Sequence, residues 1–188
     1  MTEKKCKNSS LTTPDSRKGL VQVFTGNGKG KTTAAAGSIV RALSHGLKVY
    51  AAVFMKASNP CSEWTFLSSL PGAKIEHFGS ENFCDPSQIK PEEKEQARQA
   101  LAAAGKAMLS GEYNLIVLDE VNVAAAWKLI DNEEVVRLVE KKPPQVELIL
   151  TGRYADIELV KRADLVTEML NIKHPFDAGE EAREGIEY

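Results

Sequence analysis

A short apolar run, Leu20-Val-Gln-Val-Phe24, leads into Thr25-Gly-Asn-Gly-Lys-Gly-Lys-Thr-Thr33, and a helical pattern begins at Lys31. Few folds accommodate a strand, a glycine-rich loop and a helix in that order. Gly26, Gly28 and Gly30 free the backbone to turn successive N–H groups inward. The helix start behind them adds the positive end of its dipole. The segment therefore reads as a phosphate-binding loop, with Thr25, Gly26, Asn27, Gly28, Lys29, Gly30, Lys31, Thr32 and Thr33 disposed around a polyphosphate. Lys31 is placed as a point charge on the phosphates, and Thr32 offers a hydroxyl to Mg2+. One position departs from the usual G-x-x-x-x-G-K-[ST] pattern, whose first glycine falls here on Thr25.

The rest of the chain alternates strands with helices. After the helix Lys31 to Ser44, with Ala34, Ala35, Ile39, Ala42 and Leu43 on one face, Leu47 to Met55 reads as a strand buried on both faces. A short helix over Ser62–Leu70, a strand over Lys74–Phe78 and a loop over Gly79–Ile89 follow. Pro91 to Leu109 carries the strongest helical signal: proline in the first turn, Glu92, Glu93 and Glu95 near the start, and an apolar stripe of Ala97, Leu101, Ala104 and Met108. Leu115–Leu118, Val146–Leu150 and Leu165–Met169 read as strands, and Asn132–Lys141 and Ala155–Arg162 as helices. Such alternation predicts a three-layer, doubly wound, mostly parallel α/β sheet of the P-loop NTPase (RecA-like) type. Residues 1–18 hold little to bury and read as an arm, leaving 19–188 as the domain.

In a sheet of this kind ligands bind beyond the carboxyl ends of the strands, so the loops after Phe24, Met55, Leu118 and Leu150 should meet. Those loops carry chemistry. Leu115-Ile-Val-Leu-Asp119-Glu120 has the form of a Walker B segment, with Asp119 and Glu120 beside Mg2+ (or Mn2+). Lys56 follows Met55, with Glu63 a little further on. Arg153 follows the strand ending at Leu150, where it is either a forked clamp on phosphates or an ordinary surface arginine.

Composition narrows the class. The chain of 188 residues is 43% apolar and carries net charge −2, a globular balance without the basic excess of a dedicated nucleic-acid binder. No apolar run is long enough to span a bilayer, and Met1–Leu11 has no secretory character. Cys6, Cys61 and Cys84 are odd in number and widely spaced, consistent with a reducing, cytoplasmic setting. No N-K-x-D guanine reader is present, and neither is the D-x-H-x-x-G signature that ligates cobalt through histidine.

Thr25–Gly37 resembles the loop of the P-loop cob(I)alamin (corrinoid) adenosyltransferases, whose glycines share this shifted spacing. The likeness continues through Phe54-Met-Lys56, Glu63, Leu118-Asp-Glu-Val-Asn122 and Leu150-Thr-Gly-Arg153. It ends with Ile172–Gly179 and Gly185-Ile-Glu-Tyr188, and so spans about Gly19 to Tyr188. The resemblance implies transfer of the 5′-deoxyadenosyl group of MgATP to Co(I) of cobalamin or cob(I)yrinic acid a,c-diamide, with triphosphate leaving. It implies a nucleotide seated in the reverse sense, with Lys31, Thr32 and Glu120 as catalytic residues. It also implies a corrinoid partner, an electron donor such as a flavoprotein or free reduced flavin, and a homodimer, in some relatives with an N-terminal segment crossing the partner's site. Phe83, in Asn82-Phe-Cys-Asp85, occupies the position of a family aromatic that faces the corrin, while the companion tryptophan position holds Asp85. A corrin contact and a buried loop anchor both suit Phe83. The alternatives are a RecA-like ATPase and a non-catalytic, nucleotide-gated corrinoid-binding module.

Overall fold

The computed structural model describes residues 18–56, 62–80 and 84–186. Six strands, β1 (Val21–Thr25), β2 (Val49–Val53), β3 (Ala73–His77), β4 (Leu115–Asp119), β5 (Glu147–Thr151) and β6 (Leu165–Glu168), form one sheet in the order β3-β2-β4-β5-β1-β6. Every pairing is parallel. The helices are α1 (Lys31–Ser44), α2 (Ser62–Ser68), α3 (Pro91–Leu109), α4 (Val121–Ala126), α5 (Asn132–Glu140) and α6 (Ile157–Arg162).

Register sorts the core into two layers, because side chains alternate along each strand. Phe24, Val49, Val53, Val117 and Ile149 point to one face and pack with Ala35 and Ile39 of α1 and Trp64 of α2. Val23, Tyr50, Ala52, Leu118 and Leu150 point to the other, beneath α3, α4, α5 and α6. The uninterrupted apolar runs of β2 and β4 are explained by this arrangement, since both strands are buried along their whole length. Helix α3 lies close to the sheet because its inner side is mostly alanine. Ala97, Ala100, Ala104 and Ala107 are buried together with Met108, whereas Leu101, expected in the stripe, is only partly covered. Its start is fixed by Glu93, whose carboxylate accepts from Lys90 N–H at 2.8 Å.

Several elements differ from expectation at their ends. The strand expected over 47–55 shortens to β2 because Lys48 N–H turns to the Asn114 side chain and Met55 takes a left-handed φ of 60°. The helix expected from Ala155 begins at Ile157, since the Asp156 side chain caps Glu158 N–H at 2.8 Å. Helix α4 was not foreseen: six residues following two acids carry no start signal of their own. The expected arm lies outside the described residues but for Lys18. Gly19 already touches the sheet, donating to Pro144 O at 2.7 Å.

Candidate active site

The loops after β1, β2, β4 and β5 do meet, and Asp119 is their junction. Its carboxylate is fully buried at the end of β4. Oδ1 accepts from the Thr32 hydroxyl at 2.9 Å and from the Thr151 hydroxyl at 2.7 Å, and Oδ2 pairs with Lys56 Nζ at 3.3 Å. A buried carboxylate costs several kcal/mol unless it is paired and hydrogen-bonded. Two hydroxyls and an ammonium, each from a different strand end, offset that cost here.

Glu120 is held in a left-handed conformation, φ 64°, which costs a non-glycine residue roughly 1 kcal/mol or more. Its N–H donates to Thr151 Oγ1 at 3.0 Å, so one threonine bridges both acids. The carboxylate reaches the next loop, where a Cβ added at Gly152 would stand 3.2 Å from Glu120 Oε2. Burial, and then the charge of Asp119, hold the Glu120 carboxyl above the usual carboxylate range; Lys56, Lys31 and Arg153 pull the other way. Asn122, buried in the first turn of α4, donates to Gly152 O at 3.2 Å and so fixes the Thr151-Gly152-Arg153 turn.

The phosphate loop is closed on itself. Lys31 is buried, and its Nζ donates to Gly26 O at 2.8 Å and Gly28 O at 2.7 Å. Burial lowers the pKa of this ammonium; the Glu120 charge opposes the shift, Arg153 adds to it and Asp119 opposes it. Gly26 and Gly30 take φ of 94° and 112°, values that side-chain-bearing residues rarely adopt. Gly28 N–H donates to Met169 O at 2.6 Å. Thr25 lies at the base of the loop, accepting from Ala155 N–H at 3.3 Å, while Asn27, Lys29 and Thr33 lie on its exposed side.

Other expected site residues divide. Lys56 joins the Asp119 cluster, and Arg153, although exposed, is near enough to act on both Lys31 and Glu120. Glu63 is half-buried in the first turn of α2 and makes no bond to that cluster. Phe83 lies outside the described residues. Thr151 and Asn122 stand in the matching segments and Met169 at the end of an expected strand, but the sequence alone assigned none of the three a role in the site. For Thr151 a signal existed: a polar residue ends an apolar strand, directly beside the strand that ends in Asp119.

Thr32, Asp119 and Glu120 supply hard oxygen donors at the mouth of the loop. Among the described residues no three His, Cys, Asp or Glu side chains converge as a metal cage. Mg2+ requires none, since it is commonly held by one or two carboxylates together with substrate phosphates and water. The donors present fit such an ion.

Phosphate loop, strand-end acid pair and parallel sheet together define a nucleotide-binding protein of the P-loop α/β class. The particular family is set by the whole sequence. The family model described as ATP:corrinoid adenosyltransferase BtuR/CobO/CobP matches residues 17–188, and the chain belongs to that family. It is 35% identical over 188 residues to the corrinoid adenosyltransferase of Sinorhizobium sp, covering 99% of this chain and 88% of the relative. It is 33% identical over 171 residues to that of Pseudomonas aeruginosa, covering 91% and 84%. The corrinoid adenosyltransferase of Escherichia coli K12 is 34% identical over 171 residues, covering 91% and 86%.

Proposed function

We propose that residues 19–188 form a single catalytic domain that transfers the 5′-deoxyadenosyl group of ATP to Co(I) of a corrinoid, cobalamin or its a,c-diamide precursor. The observation that carries this reading is the reach of the family match, residues 17–188, which takes in the phosphate loop and the segment after β6 alike. In the reaction the cobalt electron pair forms the bond to the ribose C5′. The C5′–O bond breaks with its pair leaving on triphosphate, so no hydrolytic base is required.

The chain's own groups serve that departure. Lys31 leaves its loop carbonyls for phosphate oxygens, and Arg153 adds a second positive charge where negative charge develops. Thr32, Asp119 and Glu120 would hold Mg2+, which when bound supplies further neutralisation of the triphosphate. Glu120 acts on metal and phosphate geometry, held at its bend by Thr151. Lys56 keeps Asp119 oriented. Fixing the sugar carbon in line with the metal centre removes much of the entropic cost of bringing two large substrates together. Phe83 suits the role of a corrin contact. A flavoprotein or free reduced flavin is the proposed reductant, a homodimer the proposed assembly and the cytoplasm the proposed location. No helix among the described residues is long and apolar enough to cross a membrane.

The test is incubation with MgATP and chemically reduced cobalamin. A light-sensitive Co–C species with triphosphate as co-product is expected. Orthophosphate instead would assign a RecA-like ATPase, and binding of both substrates without transfer would assign a binding module. Lys31→Ala and Thr32→Ala should nearly abolish transfer, and an unchanged rate in either would refute the assigned loop.

A further inference from the structure

After β6 the chain does not leave the site. Met169 N–H donates to Thr25 O at 2.9 Å, and Met169 O accepts from Gly28 N–H at 2.6 Å. The two backbones touch: a Cβ at Gly26 would lie 2.5 Å from Met169 O, and one at Gly28 2.6 Å from Leu170 O. The chain then makes an excursion through a short 3-10 turn, Pro175–Ala178, capped by the His174 ring at Phe176 N–H. It returns to the phosphate loop, where Lys29 Nζ donates to Ile186 O at 3.1 Å. Residues 170–186 are thus a lobe tied at both ends to the loop that holds the nucleotide.

This lobe buries none of its own residues. Its large apolar side chains point outward instead, with Leu170 67%, Ile172 92%, Phe176 76% and Ile186 61% exposed. Single exposed apolar residues are ordinary on a protein surface. Four on one short stretch, anchored to a catalytic loop and backed by no core, mark a surface that something covers.

We propose that this lobe is a wall of the corrinoid site. The four side chains meet the apolar faces and edges of the macrocycle, and Asn171, Lys173 and His174 lie among them to meet its amide rim. The inference rests on the adenosyltransferase reading and adds the surface on which that reading's second substrate docks. Two observations choose this occupant. The triphosphate is drawn to loop amides and to Lys31, not to apolar side chains. The reaction also requires a large amphipathic partner to reach the ribose at this loop, and the lobe is an exposed apolar surface tied to that loop at both ends.

The test uses the full chain with Ile172→Ser, Phe176→Ser and the double variant. Both positions are exposed, so the fold should hold, and a thermal melt checks it. Equilibrium dialysis with cob(II)alamin in the presence of MgATP reads corrinoid binding without chemistry, and steady-state rates give KM for each substrate. The double variant should bind corrinoid roughly tenfold or more weakly, with KM for ATP within about twofold of wild type. Leu109→Ser, an exposed apolar residue at the far end of α3, should change neither. Unchanged corrinoid affinity, or equal loss of ATP and corrinoid binding, would overturn the proposal. So would a change in assembly mass with corrinoid binding intact, which would assign these side chains to a subunit contact. A wild-type chain that binds corrinoid through these residues yet forms no Co–C bond would refute the transferase reading and leave the wall standing.

Discussion

Thr151→Val isolates one hydroxyl. The exchange keeps the shape of the side chain, so no cavity opens at this fully buried position. Two bonds vanish together: Thr151 Oγ1 to Asp119 Oδ1 at 2.7 Å, and Glu120 N–H to Thr151 Oγ1 at 3.0 Å. A hydrogen bond to a buried charge is worth about 2 kcal/mol, and stranding the Glu120 amide costs about 1 kcal/mol more. The sum, about 3 kcal/mol, corresponds to a fall of roughly 6–12 °C in Tm for a domain of this size. Because the freed amide belongs to a residue in a strained conformation, Glu120 should also lose its bend, and transfer activity should fall by about tenfold or more. Urea titration of wild type, Thr151→Val and Thr151→Ser measures the stability term. Thr151→Ser retains the hydroxyl and should recover most of it. A valine variant within about 0.5 kcal/mol of wild type, or a serine variant as weak as valine, would refute the view that this hydroxyl holds the two acids in place.

Glu120→Gln should stabilise the substrate-free protein near neutral pH. Its folded carboxyl titrates above its unfolded one, so ionisation opposes folding once the pH rises past the ordinary carboxylate range, and below that range the variants should melt alike. A melt series from pH 4 to pH 8 with no growing difference would contradict this. Gly28→Ala should cost about 1–3 kcal/mol through collision with the Leu170 and Met169 carbonyls, without added backbone strain, since Gly28 is not among the left-handed glycines. Hydrogen exchange should then quicken at Met169 and Leu170, and unchanged protection there would count against the tie. Burial, then the charge of Glu93, pushes the Cys84 thiol up to about 11, so at pH 8 only about one molecule in a thousand carries the thiolate. Brief iodoacetamide treatment read by peptide mass spectrometry should label Cys84 in urea and spare it in the native protein; equal labelling in both would overturn the assignment.

Much of this protein was legible in the sequence alone. The phosphate loop is local chemistry: alternating glycines, two lysines and a helix start lie within nine residues, and no distant contact is needed to recognise them. Strand and helix alternation followed from apolar run length, and a parallel sheet implied that polar residues at strand ends would meet. What tertiary structure alone decided is how those ends are joined. Thr32, Lys56 and Thr151 reach Asp119 across 87, 63 and 32 residues of chain, and strand order with register determines which of them touch it. The left-handed turn at Glu120 and the tie of Met169 to Gly28 were invisible for the same reason, since each depends on a neighbouring strand that supplies a partner at one height. Local pattern sets the elements because they form from near neighbours. The site is decided by packing because a buried carboxylate survives only where separate strands deliver their donors to one point.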